Sequence, residues 1–93
     1  MIKIKTKTKT NEKNIYKFFP KDKKELQKII KSQIYKYGNA VDLNNIDTSK
    51  ITDMSDLFLK SKFNGNISNW DVSNVINMSY MFYKSIFNRD ISK

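Results

Sequence analysis

The sequence predicts an α/β repeat fold: a short leucine-rich-repeat-like solenoid with parallel strands, preceded by an N-terminal β-hairpin and a capping helix. The main observation is an internal repeat, since residues 47–69 and 71–93 agree at 11 of 23 aligned positions, where chance gives roughly one or two. A unit of 24 residues is too short to close a hydrophobic core alone and must stack on a copy of itself. An amphipathic helical pattern precedes the repeats and suits a cap.

The repeat register predicts which side chains stack in the core. Stacked coils place equivalent residues one above another, so Met54 with Met78 and Phe58 with Phe82 are expected to form ladders. Large apolar side chains at such positions are typical of an ordinary core rather than of a cofactor site.

Turn signals and the register predict one short strand in each coil. Asn64-Gly65-Asn66 is a turn signal that leads into Ile67-Ser68, the expected strand of the first repeat. The same register places the strand of a preceding half rung at residues 41–44 and the strand of the second repeat near residues 90–92.

Short polar residues mark the corners of each coil. Asp47-x-Ser49 and Asp71-x-Ser73 follow the strand positions, where their side chains can accept hydrogen bonds from backbone amides in Asx turns. A stacked aspartate pair is also compatible with calcium, although the dense carboxylate and glycine loops of calcium sites are absent. Thr52 or Asp53, and Asn77 in the second copy, are N-cap types that predict a helical turn after them.

These repeats resemble a known family. The run from Ile67 to Met78, followed by Met81-Phe82, is similar to the repeat of BspA-type leucine-rich surface proteins of low-GC bacteria, mycoplasmas and spirochaetes, with Ile76 standing where the family has threonine. The resemblance is specific over residues 43–93. It implies a two-repeat member of a family whose proteins are generally taken to be non-catalytic adhesion or recognition modules.

Composition confines the chain to one small, basic domain. It has 93 residues, a net charge of +9, no cysteine and no histidine. Residues 1–37 hold twelve lysines against three acidic residues, whereas residues 38–93 hold six basic and six acidic residues, so the whole excess lies in the N-terminal third. This asymmetry is the one feature that points to a polyanionic partner.

The N-terminal residues alternate with period two. Threonine and isoleucine alternate with lysine over residues 1–10, which predicts a strand with one basic face. Asn11 to Asn14 predicts a turn, and residues 15–19 a returning strand that ends at Pro20. The competing interpretation is a mobile basic tail over residues 1–13.

A helix is predicted from about Lys23 to Tyr37. Asp22 and Glu25 form a capping-box pattern, and Gly38 suits the position after the last turn. The single domain, 1–93, therefore divides into a basic hairpin or arm (1–20), a capping helix (21–38), and a half rung with two 24-residue repeats (39–93). Docking of this amphipathic helix on a membrane is an alternative, although its apolar stripe holds neither Trp nor Phe.

An enzyme is not expected, because the chain lacks histidine, cysteine and the spacing of nucleotide or metal motifs. No cofactor or metal is expected either. The predicted function is a non-catalytic protein-protein interaction module, with a protein-binding set on the strand face: Asn45, Ser68, Asn69 and Ser92. A homodimer through the uncapped C-terminal rung is the other protein partner considered.

The alternative function is binding to nucleic acid, or to a nucleic-acid-handling enzyme, as an inhibitor from a mobile element. The anion-binding set would be Lys3, Lys5, Lys7, Lys9, Lys13, Lys24, Lys28 and Lys31. No signal peptide, lipid-anchor cysteine or membrane span is evident, so a cytoplasmic protein is expected, with a surface location only through another export route or trimming.

Overall fold

The computed structural model describes residues 16–88, and residues 1–15 and 89–93 lie outside the described part. One helix, α1 (Lys23–Tyr37), is followed by two stacked coils that carry the sequence repeat. The helix bounds confirm the prediction. Asp22 caps α1 by accepting a hydrogen bond from the Glu25 N–H at 2.9 Å, while Gly38, with φ of 93°, ends it and donates to the Ile34 carbonyl at 2.7 Å.

The helix covers one end of the coils. Its buried side chains are Leu26, Ile30 and Gln33, and Leu26 and Ile30 belong to the same core cluster as the apolar side chains of the first coil. Polar contacts reinforce the docking, since the Lys23 Nζ lies 3.0 Å from the Ser55 Oγ and 4.0 Å from Asp53 Oδ2.

The predicted fold class is wrong. Between residues 16 and 88 the structure contains no strand and no sheet, so the chain is not a leucine-rich-repeat-like solenoid of parallel strands. Three isolated parallel bridges take their place: Phe18 with Ile46, Asp42 with Asn66, and Asp53 with Asn77. The strands predicted at residues 41–44 and at Ile67-Ser68 are absent.

The predicted N-terminal hairpin is also not seen in residues 16–19, the part of it that the structure describes. Of the predicted returning strand, residues 16–19 are described, and they form a single bridge from Phe18, parallel to Ile46. Residues 1–15, which carry the rest of the predicted hairpin, lie outside the described part, as does the strand predicted near residues 90–92.

Turns interrupt the chain at the predicted strands and at the predicted helical turns. At the strand positions, the Ile46 N–H donates to the Leu43 carbonyl at 3.2 Å and the Trp70 N–H to the Ile67 carbonyl at 3.1 Å. Asp56, Lys60, Tyr80 and Lys84 have φ between 55° and 60°, in the left-handed region that neither a strand nor a right-handed helix uses. Turn hydrogen bonds span three residues, as from the Leu59 N–H to the Asp56 carbonyl at 3.1 Å. The helical turns predicted after Asp53 and Asn77 are therefore wrong as well.

The predicted stacking register is confirmed for the phenylalanines. The rings of Phe58 and Phe82 lie parallel, with centroids 5.6 Å apart and planes at 3°, and Phe63 stacks on Phe87 at 5.8 Å. Phe58 also stacks on Phe63 within the first repeat, at 4.8 Å. Four rings thus form one aromatic column that joins the two repeats.

Backbone hydrogen bonds join the coils in the same register. Alternate N–H groups of the first repeat donate to carbonyls of the second at 2.8 to 3.0 Å: Met54 to Asn77, Asp56 to Ser79, Phe58 to Met81 and Lys60 to Tyr83. In the opposite direction, the Ile76 N–H donates to Thr52 at 2.7 Å and the Ile86 N–H to Ser61 at 3.3 Å. The first coil therefore presents a row of N–H donors to the second.

The Asx turns predicted at the corners are confirmed. Asp47 Oδ1 accepts from the Ser49 N–H at 3.0 Å, and Asp71 Oδ1 accepts from the N–H and hydroxyl of Ser73 at 2.9 and 2.6 Å. The Ser73 hydroxyl, followed by its N–H, holds the pKa of Asp71 below its ordinary value of 3.8, while slight burial acts in the opposite direction.

Asp53 forms the same kind of turn. Its carboxylate accepts from the hydroxyl of Ser55 at 2.7 Å and from the Ser55 N–H at 2.9 Å, and these bonds lower its pKa. Asn77 occupies the equivalent corner of the second repeat and accepts from Ser79 at the same two distances. An amide oxygen therefore accepts the same two hydrogen bonds in this turn as a carboxylate oxygen does.

We expect acid to weaken the fold through Asp53 and Asp71. Because both pKa values are lowered in the folded state, the unfolded chain binds more protons near its own carboxyl pKa, and stability is lost as the pH falls through the folded-state values. The double variant Asp53→Asn with Asp71→Asn should keep both turns, as Asn77 does. Urea unfolding at about pH 6 and about pH 3 checks this, since the variant should lose less stability on acidification. An equal loss in both proteins would contradict the assignment.

Candidate functional site

Residues 76–86 of the second repeat expose most of their large apolar side chains, and we call this surface the open face. Met54 and Met78 occupy equivalent positions, but Met54 is fully buried whereas Met78 is 45% exposed. The difference arises because the second repeat covers Met54, while no residue of the described chain covers Met78 to the same extent.

The open face is also more apolar than its counterpart in the first repeat. At three positions that are exposed in both repeats, a polar residue of the first is replaced by an apolar or aromatic one in the second: Thr52 by Ile76, Asp56 by Tyr80, and Lys62 by Ile86. The replacements are 87%, 64% and 61% exposed. Contact with water alone would favour the polar residues at these positions.

Aromatic side chains connect part of this surface. The rings of Tyr80 and Tyr83 meet edge to face at 5.4 Å, and the Lys84 Nζ lies 5.5 Å from the centre of the Tyr83 ring. Tyrosine is enriched at protein interfaces because it joins a large apolar ring to a hydroxyl that can hydrogen-bond.

An apolar pocket of about 140 Å³ adjoins the open face. Its lining is almost wholly hydrophobic: Ile67, Ser68, Trp70, Val72, Met78, Met81 and Phe82. A pocket of this character accepts an apolar side chain.

The open face carries a row of unused backbone donors. Within residues 16–88, no acceptor is found for the N–H groups of Met78, Tyr80, Phe82 and Lys84. These are the second-repeat equivalents of the N–H groups that join the first coil to the second. The hydrogen-bonding edge is therefore repeated at the open face, where no other part of residues 16–88 pairs with it.

The structure separates the residues of the predicted protein-binding set. Asn45 and Asn69 line one shallow polar depression, whereas Ser68 lines the apolar pocket. Ser92 lies outside the described residues. The Asn45 Oδ1 is buried and has no hydrogen-bond partner within the described chain, but the depression itself is open and contains no further buried polar group that would identify a ligand.

The predicted anion-binding lysines fall into two groups. Lys24, Lys28 and Lys31 are exposed on α1, where their spacing gives solvent a basic face. Lys3, Lys5, Lys7, Lys9 and Lys13 lie outside the described residues.

Sequence reasoning missed Ile76, Tyr80, Tyr83 and Ile86 as site residues. The signal that could have found them is the difference between the repeats, because each replaces the first-repeat residue at an exposed position. Among residues 16–88 no group of three or more acidic side chains is arranged to hold a metal. No helix in this part of the chain has the length and apolar character needed to cross a membrane.

The chain matches a family model. Residues 24–93 match a family model described as "Mycoplasma protein of unknown function, DUF285". No curated protein and no solved structure matches the chain. The matched region contains the helix, both coils and the open face.

Proposed function

The chain belongs to the family described as "Mycoplasma protein of unknown function, DUF285", and we propose that it is a non-catalytic protein-protein interaction module. The observation that carries the proposal is the open face, where exposed Ile76, Tyr80 and Ile86 replace polar residues of the first repeat. The sequence resemblance to BspA-type surface proteins, taken as recognition modules, supports the same function.

Exposing these apolar side chains to water is unfavourable. Isolated apolar residues are normal on a protein surface, but several on one face, beside an apolar pocket and unpaired backbone donors, are typical of an interaction site. Truncating a tyrosine buried at the centre of an interface often costs about 2 kcal/mol or more of binding free energy. Tyr80 and Tyr83 are the side chains of the open face best suited to that role.

The repeat itself supplies the variant that tests this function. Ile76→Thr, Tyr80→Asp, Tyr83→Leu and Ile86→Lys together give the open face the residues of the first repeat. The exchanged positions are exposed, so the melting temperature should change little. We expect the wild-type protein to retain a discrete protein from the cytosol of its source organism after nuclease treatment, and the variant to retain at least roughly tenfold less.

The matched control neutralises the helix lysines. Lys24→Gln, Lys28→Gln and Lys31→Gln change the exposed basic face and leave the open face intact. This control should retain the protein as the wild type does. Retention lost on nuclease treatment, or lost in the lysine variant alone, would favour the nucleic-acid alternative instead, to which the charge excess of residues 1–37 points.

A further inference from the structure

A polar cleft of about 400 Å³ lies at the C-terminal end of α1, between that helix, the segment Lys17-Phe18 and residues 41–45. We propose that this cleft binds a short peptide segment through its backbone amide groups and one carboxylate. The cleft shares no residue with the open face, so it is a second site, distinct from the one on which the proposed function depends.

Gln33 of α1 is a buried polar residue that lines the cleft. Its side chain is 9% exposed, yet its amide forms no hydrogen bond within residues 16–88. Thr48, which is also buried, bonds through its hydroxyl to the Asp71 carbonyl and N–H at 2.9 and 3.0 Å. Buried polar groups are normally paired in this way, because an unpaired one loses its bonds to water without replacement. The unpaired amide of Gln33 therefore indicates a ligand in the cleft.

Asn45 supplies a second unpaired group on the same cleft. Its backbone carbonyl accepts from the N–H groups of Lys17 and Phe18 at 2.8 and 3.3 Å, which fixes the residue in the wall of the cleft. Its side-chain Oδ1 is buried and has no partner within the described chain. A carbonyl oxygen can only accept a hydrogen bond, so the missing group is a donor such as an N–H.

The two side chains together match the groups of a peptide backbone. The amide of Gln33 carries two N–H donors and an acceptor oxygen, so it can pair with both the C=O and the N–H of one peptide unit. Asn45 Oδ1 can accept from the N–H of a neighbouring unit. A peptide offers one donor and one acceptor at nearly every residue, which suits two amides in one cleft.

The charges around the cleft favour a single carboxylate. Two lysines and one aspartate line it, Lys17, Lys36 and Asp42, which gives a net charge of +1. Both lysines are exposed, and neither forms an ion pair within residues 16–88. A phosphate carries close to two negative charges at pH 7 and would lie near the Asp42 carboxylate as well. A carboxylate, with one charge, is the better match.

An NMR titration of the full-length protein tests the proposal. The probe is N-acetylglycylglycine, which offers peptide amides and one carboxylate, and the control is the same compound with its C-terminus amidated. The probe should shift the side-chain NH₂ signals of Gln33 and Asn45 in a saturable way. The amidated control should bind at least about tenfold more weakly, because it lacks the charge that pairs with the lysines.

Two variants remove the proposed contacts. Gln33→Leu and Lys36→Gln should each weaken binding of the probe by at least about tenfold. The matched control is Lys50→Gln, which removes an exposed lysine that does not line the cleft, and it should bind as the wild type does. Gln33→Leu should not lower the melting temperature, because it replaces an unpaired buried amide by an apolar side chain of similar size.

Saturable binding that both variants weaken supports the proposal. The absence of saturable shifts in the wild-type protein overturns it, whether the cleft holds water or another segment of the chain. Tighter binding of adenosine monophosphate than of the probe would identify a nucleotide site and overturn the peptide assignment. A lower melting temperature of Gln33→Leu also overturns it, since that result would show that the Gln33 amide is paired in the free protein.

Discussion

Phe58→Ala will lower the free energy of unfolding by about 3 to 5 kcal/mol, the largest effect we expect from a single side-chain truncation in this protein. Phe58 is 1% exposed and lies within 6.3 Å, between ring centroids, of Phe63, Trp70, Phe82 and Phe87. Its loss leaves a cavity and removes the ring on which the second repeat stacks.

The repeat provides a matched control in Phe82→Ala. Phe82 is the second-repeat equivalent of Phe58 but is only partly buried, because no further coil covers it within the described residues. Its truncation should cost about half as much. Urea unfolding followed by circular dichroism measures both. An equal loss in the two variants would show that the first repeat is no better packed than the second.

Gly65→Ala is expected to destabilise the protein by about 3 kcal/mol, through steric overlap. A Cβ at this buried position would overlap the backbone carbonyl oxygen of Val41 and would lie 2.6 Å from Cε1 of the Phe63 ring. A backbone atom cannot move away by changing rotamer, so the segment around Val41 and the first coil would have to separate.

Gly38→Ala distinguishes this overlap from conformational strain. Gly38 has φ of 93°, and nothing lies within 4 Å of its Cβ position, so the substitution should cost only about 1 kcal/mol. Thermal unfolding of both variants checks the difference. If Gly65→Ala were the milder change, the close approach between Val41 and Gly65 would not be a feature of the folded protein.

Local chemistry and periodicity predict only part of this fold. The capping pattern of Asp22 and Glu25 placed α1 correctly, and the repeat placed Phe58 against Phe82. The predicted strands failed because the chain turns there: the Ile46 N–H donates to the Leu43 carbonyl and the Trp70 N–H to the Ile67 carbonyl. The predicted helical turns failed because residues such as Lys60 and Tyr80 are left-handed. Neither residue type favours that region, so nothing in the residue itself marks the turn.

The candidate site was hidden for a related reason. Positions that agree between the two repeats are mainly those that pack in the core. The candidate site is formed by positions that differ, such as Ile76 and Ile86. Whether a differing residue is exposed depends on the direction in which the coils stack and on which end α1 covers. That information comes from tertiary contacts, which a comparison of the repeats does not contain.

The one-sided cover by α1 has a consequence for how such a protein can lengthen in evolution. The first coil donates its row of N–H groups to the second, as from Met54 to Asn77. A tandem duplication inserted after the second repeat would therefore find the equivalent N–H groups available. A duplication placed before the first repeat would separate α1 from the side chains that it covers. Gene duplication can therefore add repeats on the side that α1 does not cover, and α1 can stay unchanged as the number of repeats increases.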